Sequence, residues 1–257
     1  IVKFESDYFQ ISTASQDVIV RSLQTLEGQD FSWKDWAIEV NLEQGDCLKS
    51  LSAEENQQIE EIEANCLRRE TFWVKQVSNS EPLELAIREN SQTFSSNLSK
   101  IQKQLWKAPQ DIQNFLSKIS FECSPQDFLL TVFIAYLARI STRRCFSIGI
   151  GSSIVCSSES KLKKLFTDVV PANLEINLEQ TFTDIFVLVQ QQINITQKSQ
   201  TFHRDIVTRY PQLANLQNIS IEQQLPITVQ LTESLAKYHP NITNKFVLVI
   251  AENGDCA

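Results

Sequence analysis

The sequence predicts an α/β fold: a two-layer sandwich in which helices cover a mixed β-sheet. Three observations point there. Residues 53–77 and 124–141 carry apolar side chains at helical spacing or on every side. Residues 144–155, 168–179, 225–233 and 245–254 are rich in β-branched residues and read as strands. The order is helix, helix, strand, strand, helix pair, strand, strand, which is not a regular β-α-β alternation.

Residues 1–51 form a weakly patterned N-terminal segment. Within it, "QDVIVRSLQTLEG", residues 16–28, suggests a short helix closed by Gly28. "FSWKDWAIEV", residues 31–40, sets two tryptophans around Asp35. A long bridging helix over 52–78 follows. Ser52 and Glu55 make a capping box, and Ile59, Ile62, Cys66, Trp73 and Val77 fall on one side. Acidic "EEIE" precedes basic "LRR", an order that suits the helix dipole.

Residues 79–257 complete the chain as a third unit. "EPLEL", 81–85, is extended because Pro82 disfavours helix at its predecessor. Residues 86–100 are polar and suggest a strand flanked by loop. "APQDIQNFLSKIS" reads as a helix with Pro109 in its first turn. In 124–141, Ser124 caps, Pro125 takes the first position and Asp127 the third. The apolar residues lie almost all round that segment, which predicts burial between layers. The strand at 144–155 has Gly149 and Gly151 where backbones would approach closely. "SESKLKKLF" reads as helix or loop. Thr181 and Asp184 open a helix with Phe182, Ile185, Phe186 and Val189 on one face, and a second helix covers about 202–210. The Asn253-Gly254 pair suggests a hairpin after the last strand.

Composition excludes several function classes. Net charge is −8 and the pI is near 4.9, with no basic stripe, so nucleic acid is not an expected partner. Only 5 glycines are present, and no Gly-rich phosphate loop is built from them. The six cysteines form no C-x-x-C pair and have no histidine at metal-ligand spacing, so they read as reduced thiols. There is no methionine, even at position 1. No apolar run approaches the ~18 residues of a membrane span, and the N-terminus lacks a signal-peptide pattern. The expected location is cytoplasmic.

The candidate catalytic group is His203, in "TFHRDIVTRYPQL" with Asp205 two residues on. On a helix such a pair points about 200° apart, which argues against a dyad. His239 precedes a proline in a polar loop and reads as solvated. No G-x-S-x-G nucleophile is present. Glu60, Glu61 and Glu63 read as a solvated charge run.

From residue 31 onward, seven segments in order resemble nonribosomal peptide synthetase condensation domains. "SWKDWAIEV" is similar to the family's Tyr-x-Asp-Tyr-Ala-x-Trp segment at Asp35, Trp36 (for Tyr) and Ala37. "RRETFWVKQVSNSEPLEL" resembles the helix ending in Phe/Tyr-Trp and the following Pro-Leu-x-Leu, through Phe72, Trp73, Pro82, Leu83 and Leu85. "SPQDFLLTVFIAYLARIS" and "CFSIGIGSSI" resemble the buried helix of the C-terminal lobe and the strand after it. "LFTDVVPANLEI" resembles the Phe-Val-Asn-Thr-x-x-x-Arg segment, departing at Thr167-Asp168 and Ala172-Asn173. "TFHRD" is similar to His-Gln-Asp-x-Pro-Phe through His203 and Asp205, and "LPITVQL" to the next strand.

The resemblance implies one lobe of a chloramphenicol-acetyltransferase-like fold, with residues 79–257 as a condensation-like C-terminal lobe. It also implies that the His203 segment is mainly structural. The family's His-His-x-x-x-Asp-Gly motif is absent, since no two histidines are adjacent here. The lobe-latching Asp-Phe-Gly-Trp-Gly segment is absent too. The expected role is therefore a structural or interaction platform beside an adenylation or carrier domain of the same or a partner synthetase, with homo-oligomers an option. The alternative is an acyl or aminoacyl transferase that forms an amide between carrier-bound thioesters, using histidines from outside this chain. No cofactor would bind directly; phosphopantetheine would arrive on a partner carrier protein. A third reading is a free-standing coenzyme A transferase with His203 as base.

Overall fold

In the computed structural model the described residues are 2–13, 15–25, 29–48, 52–83, 103–118, 124–141, 143–151, 165–216, 224–237 and 246–257. The expected strand in 86–100, most of "SESKLKKLF" and His239 lie outside them.

The N-terminal segment is not helical at 16–28. Strands β1 (Val2–Phe4), β2 (Phe9–Ser12) and β3 (Asp17–Val20) form an antiparallel meander, and β4 (Leu23–Gln24) pairs with β5 (Asp30–Phe31). Three consecutive β-branched residues, Val18 to Val20, suit a strand better than a helix. The Thr13 hydroxyl closes the β2–β3 hairpin by accepting from the Gln16 N–H at 3.3 Å. Gly28, the expected helix stop, is outside the described residues. Ser32 caps helix α1 (Trp33–Glu39) by accepting from the N–H groups of Lys34 and Asp35. The Phe9 ring packs on Trp33 and Trp36, with centroids 5.6 and 5.8 Å away, and buries the inner face of the meander.

Helix α2 runs Ala53–Ser78, with the Ser52/Glu55 capping box formed as the sequence predicts. Its core side carries Ile62, Cys66, Trp73 and Val77, plus Val74. After it, the Ser147 N–H of the sheet donates to Glu81 O at 2.7 Å, and Pro82 bridges Ser147 in parallel, so the chain is extended there. Helix α3 (Gln110–Lys118) starts one residue after Pro109, whose carbonyl accepts from Gln113 N.

Helix α4 (Pro125–Ser141) begins where predicted, the Ser124 hydroxyl accepting from Asp127 N at 3.1 Å. Its all-round burial is corrected. Leu130, Ile134, Leu137 and Ala138 are buried, but Val132, Tyr136 and Ile140 are 40%, 58% and 47% exposed. The four-residue spacing of those three places them together on the face turned away from the core.

The main sheet has the order β7-β6-β8-β9, from β6 (Cys145–Gly151), β7 (Val169–Glu175), β8 (Ile227–Thr232) and β9 (Phe246–Ala251). β6 runs antiparallel to β7 and parallel to β8, and β8 parallel to β9, so the sheet is mixed. One face presents Phe146, Ile148, Ile150, Val170, Ala172, Leu174, Ile227, Val229 and Ile250, all in one buried cluster. Helix α5 (Phe182–Ser199) touches β7, α2 and α4; α2 also reaches β7, and α4 reaches β9. On α5, Ile185 and Val189 are buried, whereas Phe182 is exposed and rests its ring against Phe128.

The opposite face is smaller and more polar. A Cβ at Gly149 would meet Thr228 Oγ1 at 2.6 Å, and one at Gly151 would meet Gln230 Oε1 at 1.6 Å. The glycines therefore admit neighbouring side chains, not the neighbouring backbone expected from the sequence. The terminal hairpin forms: Ala257 returns along β9, exchanging hydrogen bonds with Val249 at 2.8 and 3.0 Å, and Trp106 pairs with Cys256 beyond it.

Candidate functional site

The segment with His203 sits where α5 ends and the chain turns back across α2. Helix α6 spans only Ile206–Arg209, with Asp205 at its N-cap, so His203 precedes the helix. The expected helix over 202–210 is thus too long at its start. Backbone pairing holds the earlier residues instead: Thr167 N donates to Phe202 O at 3.1 Å, and Arg204 N to Leu165 O at 3.0 Å. These bonds frame an antiparallel bridge between Phe166 and His203, whose rings lie 4.6 Å apart. Extended pairing outcompetes helix here because 165–167 supplies the complementary groups.

Side chains reinforce the same pairing. The Thr201 hydroxyl donates to Thr167 O at 2.6 Å. The Arg204 guanidinium donates to Phe166 O at 3.1 Å and lies 3.5 Å from the buried Asp168 carboxylate. The sequence singled out 165–168 and 201–205 separately; the fold joins them.

Helix α2 supplies the third side. Asn65 donates to Gln200 Oε1 at 2.6 Å, the Cys66 thiol to Thr201 O at 3.2 Å, and the Trp73 indole N–H to Ser199 O at 3.2 Å. Further along the segment, Glu70 pairs with Arg209. It also accepts from the Tyr210 hydroxyl, which raises the phenol's pKa. Gln200 adopts a positive φ of 61° where the chain leaves α5. Trp73 is fully buried with its ring 5.0 Å from Phe202. Burial pushes the Cys66 thiol up to about 12, with help from the Glu63 and Glu70 charges. A thiol this reluctant to ionise is not a nucleophile.

The carboxylates near His203 are engaged elsewhere. Asp205 accepts from Arg209 Nε at 3.1 Å, and Asp168 from Arg204. Among the described residues no hydrogen bond joins His203 to a carboxylate. Its half-buried ring packs on Phe166, and no described carboxylate bonds to it as the orienting partner of a general base would. No group of His, Cys, Asp or Glu side chains among the described residues has metal-binding geometry. No helix among them is long and apolar enough to cross a membrane. The sequence had not marked Glu70 or Arg204, and had marked Asp168 only as a departure from a family segment. Their signal was faint: an arginine inside "HRD", and an acid one helical turn beyond Cys66.

No protein-family model matches the chain, and no curated protein does. Solved structures do resemble it. The starter condensation domain of rhizomide synthetase RzmA matches at TM-score 0.43 and 12% identity, over 86% of this chain and 45% of that one. The EpoB NRPS cyclization-docking bidomain from Sorangium cellulosum matches in a rhombohedral crystal form at TM-score 0.48 and 14% identity, over 98% of this chain and 56% of that one. Its monoclinic form gives 0.46 and 13%, over 87% and 49%. The chain thus spans about half the length of each.

Proposed function

We propose that this chain is a condensation-like C-terminal lobe that serves a peptide synthetase as a structural and interaction platform. The observation that carries the reading is the outer stripe of α4. Val132, Tyr136 and Ile140 are exposed on one face of a helix whose other face is core. Apolar side chains aligned on one exposed helix face fit a docking surface for a neighbouring domain. The knitting of the His203 segment to α2 and to 165–168 supports the same reading, because those side chains are spent on structure. The partner is an adenylation or carrier domain, and any phosphopantetheine belongs to the carrier. Catalytic histidines for amide formation come from outside this chain.

Isothermal titration of the chain with the adjoining adenylation domain of its synthetase tests this. Tyr136→Glu is expected to weaken binding at least about tenfold, or ~1.4 kcal/mol, as burying an unpaired carboxylate would. Equal binding by wild type and Tyr136→Glu, or none by wild type, would overturn the reading.

A further inference from the structure

We infer that the open edge of β3 pairs with the same strand of a second copy of this chain, extending the N-terminal meander across a two-fold axis. The two edges of that sheet differ. β1 is covered, since Val2 N donates to Asp46 O at 3.0 Å and Gly45 N donates to Val2 O at 2.8 Å. Among the described residues, no backbone hydrogen bond leaves β3 on the side away from β2. Outward N–H and C=O groups in a strand are a template for another strand. Val18 and Ile19 are 44% and 51% exposed, so the edge is also apolar.

The residues flanking Ile19 say which strand fits. An antiparallel two-fold pairing centred on Ile19 sets Val18 opposite Val20, and Asp17 opposite Arg21. Each copy then gives one carboxylate and one guanidinium to the other, forming two symmetric ion pairs. Directly opposite charges and β-branched pairs favour such a register. Neither Asp17 nor Arg21 has an ion pair within the chain among the described residues; Asp17 only accepts from the Gln10 amide. A one-residue slip would break both ion pairs and put Asp17 opposite Val20 or Arg21 opposite Val18. The strand is four residues long, so the association is weak and concentration-dependent.

Charge reversal tests it on the full 257-residue chain by sedimentation velocity up to about 1 mM, in low salt where surface charges are least screened. The wild type should show a reversible monomer–dimer equilibrium. Asp17→Arg and Arg21→Asp should each raise the dissociation constant at least about tenfold, because each sets like charges opposite one another twice. The double reversal D17R/R21D should restore it to within about threefold. Circular dichroism verifies folding, and Arg21→Asp keeps the test open if loss of the Gln10 contact unfolds Asp17→Arg. A monomeric wild type, single reversals without effect, or a double reversal that fails to restore pairing would each overturn the inference.

Discussion

The Cys66 thiol donates to the Thr201 carbonyl from a buried place, and its pKa of about 12 follows from that burial. At pH 8, iodoacetamide should modify the exposed Cys47 and Cys145 in the native protein and leave Cys66 until the chain unfolds; peptide mass spectrometry reads this. The linkage has a definite sign. The folded pKa lies above the ordinary 9.0, so the stabilisation is complete below pH 9.0 and is lost as pH rises toward 12. Cys66→Ala should flatten that alkaline limb in urea titrations. It will not abolish it, because burial also raises Cys256, to about 11. Gly151 offers a second residue-scale test. Gly151→Ala should cost roughly 1–3 kcal/mol by overpacking, and Gln230→Ala in the same chain should return part of it. Local pattern could not have named Gln230 as the constraint, because the contact crosses strands far apart in sequence.

At the scale of elements, α2 and α4 were legible for different reasons. The Ser52/Glu55 and Thr181/Asp184 capping boxes appear where local chemistry placed them, since a cap is decided within four residues. Mixed strand direction was readable from element order. What failed was context. Val18–Val20 is a strand because β2 pairs with it, and α4 shows an apolar face to solvent because only one side meets the core. The start of α6 was misread because the Phe166 bridge competes with helix at His203. The pillar of the region is Trp73, buried against Phe202 and bonded to Ser199 O. Trp73→Ala should destabilise the chain by about 3–5 kcal/mol in denaturant titration, with Trp73→Phe falling well short of that.

For the whole molecule, the core among the described residues draws on α2, α4, α5 and all four strands of the main sheet. Of the candidate site, the sequence marked the two segments, 165–168 and 201–205, that the fold pairs. It missed the Asp168–Arg204 and Glu70–Arg209 pairs, which join residues 36 and 139 positions apart. In the proposed platform role this chain supports chemistry done elsewhere. The most direct measurement is amide formation from acyl- and aminoacyl-carrier thioesters by the purified chain, wild type beside His203→Ala. No product above background is expected from either protein, with about 1 kcal/mol of lost stability in the variant from the missing ring contact. Amide product from the wild type alone, abolished by His203→Ala in a chain that keeps its circular dichroism spectrum, would contradict the platform role.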